Sequence, residues 1–342
     1  MAPAAISPTP ISPSDNDPVL PFVSLSPLIA GDSSTTQSTA RSLLSALERS
    51  GFLYLTDSPI PPSLLSRVYA LSAKFFKRSL DEKTALAWKT PRSNRGYTRL
   101  GREKTSLKTS KEEVAEQKSG EGEDQKESFE IGRDNEEAHL NEWPEGDVEF
   151  KEVMLEFFQC CKQLHAVVMK SIALGFKLDP DYFADFVKQG DNTLRLLHYP
   201  AVPATAFVNG RVRAGLHSDY GSITFLFQDS RGGLQVEKLD GGFVDVTPIE
   251  GTIVMNAGDL LSRWSNGVIR STRHRVVEPP LKTAMEEDRG YPPRYSIAYF
   301  CNPDFDKTIE ALPGTWEDCK EGKKWAPVNS GDYLAQRLTA TY

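Results

Sequence analysis

The sequence predicts a mixed α and β fold, with a double-stranded β-helix (jelly-roll) core and flanking helices that come mainly from the N-terminal half. Hydrophobic residues make up 39% of the 342 residues, which is enough to close a large core. In the first half, apolar residues recur at three- and four-residue steps, as in helices packed on a core. After Asp191, short runs with two-residue alternation follow one another. Many short strands at regular spacing are typical of a sandwich or barrel, here a double-sheet jelly roll.

The first elements follow a segment of low complexity. Residues 1–18 are rich in Pro and Ser, so we expect a disordered N-terminal tail. Val19–Leu25 predicts a short strand. Helical spacing over residues 36–76 predicts two helices, on either side of the buried strand Gly51–Leu55.

Residues 19–190 are expected to form a mainly helical region with a polar insertion. The insertion, residues 102–127, is almost entirely charged or small and polar, so we expect it to be solvated. A mobile flap beside a pocket is the alternative. The apolar stripe of Phe150–Phe176 predicts the main supporting helix, and His165, near this stripe, is expected to be structural.

Residues 191–305 are expected to form the jelly-roll core, and residues 306–342 a C-terminal closing segment. In that segment, Tyr333, Leu334 and Leu338 stand at helical spacing and predict a closing helix. The alternating runs of the core predict these strands: Leu194–Tyr199, Ile223–Gln228, Leu234–Leu239, Phe243–Val246, Thr252–Met255, Val268–Val277 and Arg294–Phe300.

Charge and cysteine usage exclude several classes of function. With 40 Lys and Arg against 47 Asp and Glu, the net charge is −7, so the chain lacks the clustered positive charge that nucleic acid and anionic membranes require. No apolar run approaches the roughly 20 residues of a membrane span, and the cysteines form no Cys-x-x-Cys pair. We therefore expect a cytoplasmic monomer that acts on a small molecule.

Two histidines and an aspartate in the strand-rich half have the spacing of metal ligands. His217 and Asp219 are two residues apart, and in an extended segment such side chains point to the same face. His274 lies far enough along the chain to come from another strand. Two histidines and one carboxylate leave one face of a metal open, as in non-haem Fe(II) oxygenases. Zinc also takes this set, but no general base follows either histidine in a helical zinc motif.

The segment Arg294-Tyr295-Ser296 carries a second signal. Alternation puts Arg294 and Ser296 on one face of an apolar strand. A buried guanidinium needs an anionic partner, and its planar fork matches a carboxylate. The strand is therefore suited to bind a dicarboxylate whose other end reaches the metal, with an ion pair to a protein Asp or Glu as the alternative.

These residues belong to a series of motifs in a fixed order. The most specific are His217-Ser218-Asp219, Gly233-Leu234-Gln235-Val236, Asn256-Ala257-Gly258-Asp259, Trp264-Ser265-Asn266-Gly267, His274-Arg275-Val276 and Arg294-Tyr295-Ser296. In this order the sequence resembles the iron- and 2-oxoglutarate-dependent dioxygenases of the isopenicillin N synthase-like family. The resemblance covers nearly the whole chain past the tail.

The resemblance implies a metal site, a cosubstrate site and a reaction. By this resemblance, His217, Asp219 and His274 hold Fe(II), and Arg294 and Ser296 bind the distal carboxylate of 2-oxoglutarate. The implied reaction consumes O2 and 2-oxoglutarate and releases succinate and CO2. It hydroxylates, desaturates or cyclises at an unactivated C–H of a small organic metabolite.

Further candidate residues come from the resemblance and from strand alternation. Tyr199 matches a family tyrosine that contacts the cosubstrate, whereas Leu197 stands where many relatives carry asparagine. Arg195 shares their face of the strand and is a candidate for substrate binding, with a structural salt bridge as the alternative. Phe300 and Tyr97 are further substrate candidates, Phe300 by packing and Tyr97 at the cavity mouth.

Two other functions stay open at this point. An iron-dependent oxidase of the same fold would not use 2-oxoglutarate, and the formation of succinate distinguishes it. An inactive small-molecule-binding homologue would have no activity to lose when His217 is replaced by alanine.

Overall fold

A sheet of eight strands forms the centre of the structure, a computed structural model that describes residues 20–31, 33–90, 92–103, 124–134, 136–207, 212–278 and 290–341. The strands are numbered in chain order. Across the sheet they are β1 (Phe22–Ser24), β2 (Phe52–Thr56), β10 (Ile253–Ala257), β7 (Ile223–Gln228), β12 (Arg294–Cys301), β5 (Thr193–Tyr199), β4 (Glu127–Ile131) and β3 (Gly96–Thr98). All neighbouring strands pair antiparallel except β1 and β2, which are parallel.

A smaller sheet of four antiparallel strands faces the first. Across this sheet the strands are β6 (Ala214–His217), β11 (His274–Val276), β8 (Leu234–Glu237) and β9 (Phe243–Asp245). A short ladder, β13 (Thr308–Ile309) with β14 (Val328–Asn329), lies outside both sheets. The pairing of β6 with β11 places His217 opposite His274, so two residues distant in the sequence become direct neighbours.

Helices flank the two sheets. They are α1 (Ser26–Ala30), α2 (Ser33–Arg49), α3 (Pro62–Phe76), α4 (Leu80–Ala85), α5 (Val148–Gly175), α6 (Asp259–Trp264) and α7 (Ser330–Thr341), with 3-10 turns at Ala184–Phe186 and Ala204–Phe207. Of these, α2, α3 and α5 pack on the large sheet. The buried stripe of α5 packs on β12, where the rings of Phe158 and Tyr299 lie 5.1 Å apart. No helix within the described ranges combines the length and the apolarity needed to cross a lipid bilayer.

The side-chain alternation of β5 and β12 separates the core from the site. Ile297 and Tyr299 point to the helices and belong to the larger hydrophobic cluster. Their neighbours on β12, such as Ala298, point into the space between the sheets and pack with Val236 and Val276 of the small sheet. The two sheets therefore enclose a second, smaller core that contains the functional residues.

Most predicted elements lie close to the observed ones. The predicted strand Ile223–Gln228 has the bounds of β7, the helix predicted over Phe150–Phe176 is α5, and the closing helix is α7. The predicted strand Val268–Val277 was too long, since only β11 is extended there. The short helix α6 was not predicted. The large sheet also crosses the predicted division at residue 190, because β1 to β4 come from the N-terminal half.

The polar insertion was expected to be solvated, but residues at both of its ends are buried. Residues 104–123, like the predicted tail 1–18, lie outside the described residues. The flanking residues Glu103, Asp124 and Lys126 are buried, with exposures of 6%, 5% and 5%. They form ion pairs with one another and with Arg195, so the ends of this segment are part of the protein interior.

Candidate active site

The two predicted histidine ligands meet where β6 ends and β11 begins. The rings of His217 and His274 lie 4.3 Å apart, centroid to centroid. β6 ends at His217, and Asp219 lies two residues later, in the connection that follows the strand. As predicted from their spacing, His217 and Asp219 face the same site. One ligand atom from each of these three residues lies within 4.8 Å of the others.

The first turn of α6 holds the backbone at Asp219. The N–H of Asp259 donates to the carbonyl oxygen of Asp219 over 2.8 Å, and the N–H of Leu260 donates to that of Gly221 over 3.1 Å. A side chain at Gly258 would collide with the carbonyl oxygen of Gly221. Glycine is therefore required at this close approach, which gives a physical reason for the Asn256-Ala257-Gly258-Asp259 motif.

Hydrogen bonds orient the three side chains for metal binding, and for His274 the contact is that of Nδ1 with the carbonyl oxygen of Thr272, at 3.3 Å. Nδ1 of His217 lies 2.7 Å from the carbonyl oxygen of Gly215. Because a carbonyl only accepts, Nδ1 carries the proton and Nε2 keeps its lone pair. Oδ2 of Asp219 accepts hydrogen bonds from Thr224 and Asn256 at 2.6 and 2.7 Å. Its Oδ1 lies 4.0 Å from Nε2 of His217 and 3.7 Å from Nε2 of His274.

The site favours a neutral imidazole beside a charged carboxylate. Burial, together with the neighbouring His274, lowers the pKa of His217 to about 3. Burial alone would raise the pKa of Asp219, but the two imidazoles and the hydrogen bonds from Asn256 and Thr224 outweigh it and hold this pKa below its usual value. Unprotonated ligands with partners on their far atoms are what a divalent metal requires. The residues therefore fit Fe(II).

Arg294 is a buried cation that faces the same cavity. Its exposure is 1%, and its guanidinium lies 5.0 Å from the ring centroid of Tyr199. Its Nε donates to the carbonyl oxygen of Gly232 at 2.9 Å, and its Nη1 donates to Oγ of Ser296 at 3.1 Å. Within the described ranges it forms no ion pair with an Asp or Glu, which speaks against the predicted alternative. A buried guanidinium of this kind fits a ligand carboxylate.

The cavity between the sheets brings these groups together. It encloses about 130 Å³, whereas a water molecule needs only about 10–15 Å³ on the same measure, so an organic molecule fits. His217, Asp219 and His274 line it. The residues that alternation placed on one face of β5 and β12 line it too: Arg195, Leu197, Tyr199, Arg294, Ser296 and Phe300.

Arg195 both lines the cavity and forms ion pairs. Its Nη1 lies 3.1 Å from Oε1 of Glu103, and its Nε lies 2.8 Å from Oε1 of Glu130. The same guanidinium lies 5.2 Å from the ring centroid of Phe300. The two predicted substrate residues are therefore in contact, and the salt-bridge alternative for Arg195 is also realised.

Tyr97 does not line the cavity, so its predicted place at the mouth is wrong. It is 3% exposed, and its hydroxyl donates to Oε2 of Glu127 over 2.5 Å. The ring of His198 lies against Tyr295, and its Nδ1 lies 2.7 Å from Oε1 of Glu127. Tyr97 therefore belongs to a buried polar network. His165 is also buried, outside the cavity, as expected of a structural histidine.

Sequence reasoning missed several residues of the cavity wall. Asn256 stood in a recognised motif but was given no role. Glu103 and Lys126 stood at the ends of a segment that was expected to be solvated. No local pattern in the sequence marked these two residues, because their burial follows only from their partners.

Comparisons with known proteins give the family. Residues 190–303 match the 2OG-Fe(II) oxygenase superfamily, and residues 20–146 match the family described as non-haem dioxygenase in morphine synthesis N-terminal. The chain is 36% identical to Proline hydroxylase buaE of Petromyces alliaceus, over 88% of this chain and 92% of that protein. It is 34% identical to the 2-oxoglutarate-dependent dioxygenase frbA of Dothideomycetidae sp., over 91% and 94%.

A solved structure is more similar still. A protein of Neurospora crassa, crystallised at full length with α-ketoglutarate (2-oxoglutarate) and thymine, shares 49% identity and a TM-score of 0.86, over 97% of this chain and 99% of that one. The same protein was also crystallised with 5-formyluracil. Sequence, fold and site thus agree: the chain belongs to the 2OG-Fe(II) oxygenase superfamily and is a 2-oxoglutarate-dependent dioxygenase with a jelly-roll core.

Proposed function

We propose that this chain hydroxylates the methyl group of a free pyrimidine of the thymine type. Thymine, 2-oxoglutarate and O2 give 5-hydroxymethyluracil, succinate and CO2, with one oxygen atom entering the C–H bond and the other entering succinate. Support comes from the relative whose crystal structures hold thymine and 5-formyluracil, two rings that differ only in the oxidation of one carbon.

In this proposal His217, Asp219 and His274 hold Fe(II). The metal, when bound, activates O2 with electrons from 2-oxoglutarate. The chain's own residues prepare the site: the Gly215 carbonyl keeps the proton of His217 on Nδ1, and the partners of Asp219 keep its second oxygen occupied. Two histidines and one carboxylate would hold the metal and leave room for the cosubstrate beside it.

The observation that carries the proposal is the buried cation at Arg294. It has no carboxylate partner in the described ranges and shares a cavity with the three ligands. We infer that it binds the distal carboxylate of 2-oxoglutarate through its planar fork. Ser296, bonded to its Nη1, adds a hydroxyl, and the ring of Tyr199 lies against the guanidinium.

The substrate is assigned to the far end of the same cavity. Phe300 offers an aromatic side chain to a flat ring, and Arg195, whose guanidinium lies 5.2 Å from the centroid of Phe300, offers a cationic donor toward a ring carbonyl. Phe300 lies six positions after Arg294 on β12, roughly 20 Å along the strand, which leaves room for the metal and the cosubstrate between them.

Hydroxylation of proline is the second candidate. It is favoured by the relative named Proline hydroxylase and by the ion pair of Arg195 with Glu103, whose opposite charges also suit an amino acid zwitterion. The thymine-binding relative is the more similar in sequence, and the flat face of Phe300 suits a planar ring better than a puckered one.

Substrate-triggered succinate release tests the proposal. The purified chain is loaded anaerobically with Fe(II) and 2-oxoglutarate, mixed with thymine, uracil or proline, and exposed to O2. We expect thymine, and neither uracil nor proline, to give product, with succinate and 5-hydroxymethyluracil formed in equal amounts. An oxidised product without succinate would indicate the oxidase alternative, and no product from any ligand that binds would indicate an inactive homologue.

The oligomeric state of the chain, its location and its action on free bases are also part of the proposal. We propose that the chain acts as a cytoplasmic monomer on a free base and not on nucleic acid, in keeping with its net charge of −7. Size-exclusion chromatography and a comparison of thymine with a thymine-containing oligonucleotide test this. Turnover of the oligonucleotide would contradict it.

A further inference from the structure

Two buried charges, Glu103 and Lys126, line the cavity from the two ends of the segment that was expected to be solvated. Their exposures are 6% and 5%. Glutamate and lysine side chains are almost never fully buried unless they are paired. Their position on the wall of the substrate cavity calls for a functional explanation.

The contacts of Glu103 leave one carboxylate oxygen without a hydrogen bond. Its Oε1 accepts a hydrogen bond of 3.1 Å from Nη1 of Arg195. Its Oε2 is inaccessible to water and accepts no hydrogen bond from the described residues. The closest cation, Nζ of Lys126, lies 3.6 Å from Oε2, which is beyond hydrogen-bond distance. A buried carboxylate oxygen without a donor is unfavourable unless a ligand supplies one.

Lys126 places a donor beside this acceptor. Its ammonium donates to Oδ2 of Asp124 at 2.8 Å, and an ammonium carries three N–H donors. Burial alone would lower the pKa of Lys126, but Asp124 and Glu103 outweigh it and raise this pKa, so the group stays charged. The cavity wall thus presents an anionic acceptor and a cationic donor side by side.

We propose that Glu103 and Lys126 together recognise an amide edge of the substrate ring, where an N–H stands beside a C=O. For this, the side chain of Glu103 turns so that Oε2 faces the cavity and accepts from the N–H, and Nζ of Lys126 donates to the carbonyl oxygen. This inference rests on the proposed function and deepens it: the substrate class becomes a cyclic amide or imide. A ring without such an edge leaves Oε2 of Glu103 without a hydrogen bond and is rejected.

Binding of methylated thymines to matched variants tests the inference. Thymine, 1-methylthymine and 3-methylthymine are titrated calorimetrically into the anaerobic Fe(II) and 2-oxoglutarate complex of the native chain, Glu103→Gln and Glu130→Gln. Glu130 is the matched control, because it is fully buried and also pairs with Arg195, but does not line the cavity. The effect of Glu130→Gln measures the part of any change that arises through Arg195.

We expect Glu103→Gln to weaken thymine binding about tenfold or more beyond the effect of Glu130→Gln, as for the loss of a charged hydrogen bond. The thymine methylated at the nitrogen that donates to Glu103 should bind the native chain at least tenfold more weakly than thymine. In Glu103→Gln, whose amide oxygen is a weaker acceptor, the difference between these two ligands should be smaller. The inference is overturned if the two variants behave alike, or if methylation weakens binding equally in the native chain and in Glu103→Gln.

The outcomes separate this inference from the proposed function. If thymine is hydroxylated normally by Glu103→Gln, the proposed function stands and the inference fails. If no pyrimidine binds but another cyclic amide, such as hydantoin, triggers succinate release in a Glu103-dependent manner, the inference stands and the thymine assignment fails. If only ligands without a ring amide, such as proline, are turned over, both fail.

Discussion

The side-chain amide of Asn256 donates a hydrogen bond of 2.7 Å to Oδ2 of Asp219. Asn256 lies on β10, in the interior of the large sheet, whereas Asp219 lies in the turn after β6 of the small sheet. The rigid sheet therefore sets the rotation of a carboxylate that belongs to a turn, and Thr224 of β7 adds a second hydrogen bond to the same oxygen.

Replacing Asn256 with leucine, which has a similar size and no donor, should lower metal affinity about 10–100-fold, as for other partners of metal ligands. Titration of the metal-free chain with Mn(II) or anaerobic Fe(II) measures the effect. Thr224→Val should act in the same direction, because it removes the other hydrogen bond to the same oxygen. An unchanged metal Kd together with a lowered Tm would mean that Asn256 serves stability alone.

Replacing Arg294 with lysine should raise the KM for 2-oxoglutarate at least tenfold and the KM for the substrate much less. Lysine keeps the charge but loses the planar fork that holds a carboxylate with two parallel hydrogen bonds. Arg213→Lys is the matched control. Arg213 is also 1% exposed and lies 5.8 Å from the ring centroid of Tyr199, but it does not line the cavity. Equal changes in both KM values would contradict the assignment of Arg294 to the cosubstrate.

Acid should destabilise the metal-free protein partly through His165. Burial lowers the pKa of this histidine to about 3, from 6.5. Below pH 6.5 the unfolded chain binds a proton at His165 that the folded chain excludes. The contribution of His165 to the free energy of unfolding is therefore fully present above pH 6.5 and is lost as the pH falls. The loss is at most about 1.4 kcal/mol per pH unit.

Chemical denaturation at several pH values with a metal chelator present measures this slope. The lowered pKa values of His217 and Asp219 also make the folded chain less stable in acid. Only a comparison with His165→Gln therefore isolates the contribution of His165. The variant should have a shallower decrease of the free energy of unfolding between pH 6.5 and 4.5. Parallel curves for the two proteins would show that His165 is protonated in the folded chain.

The faces of the central strands were predictable from the sequence because strand alternation is local. Every residue that alternation placed with Arg294 on β12 lines the cavity, and so do its partners on β5. The approach of His217 to His274 was also predictable, since both residues were expected to bind the same metal ion. A short local pattern was sufficient wherever the period of two decided the geometry.

The features that could not be predicted depend on partners that lie far along the chain. Glu103 looks solvated in the sequence, but Arg195, far along the chain, makes its burial favourable. Tyr97 looked available for a substrate, but Glu127 on the neighbouring strand takes its hydroxyl. The first turn of α6 holds the backbone at Asp219 and Gly221, and this support could not be predicted because α6 itself was not.

The closing helix α7 offers a way to block one end of the cavity. Its N-terminus is tied to the residues that follow β12, because Oγ of Ser330 donates to the carbonyl oxygen of Pro303. Near its other end, the hydroxyl of Thr341 lies 2.7 Å from that of Tyr220. Leu338 lines the cavity from this helix, which lies at the Phe300 end of β12 and not at the Arg294 end.

Replacing Leu338 with tryptophan should therefore fill the space assigned to the substrate and leave the space assigned to 2-oxoglutarate. We expect the KM for thymine to rise about tenfold or more, because overfilling a packed site forces side chains out of their preferred rotamers, and the KM for 2-oxoglutarate to change less than threefold. Steady-state kinetics with either ligand varied gives both values. Thr339→Trp is the control, since the neighbouring residue is exposed on the same helix. If Thr339→Trp had the same effect, the cause would be a disturbed helix and not a filled cavity, and a rise confined to the KM for 2-oxoglutarate would reverse the assignment of the two ends.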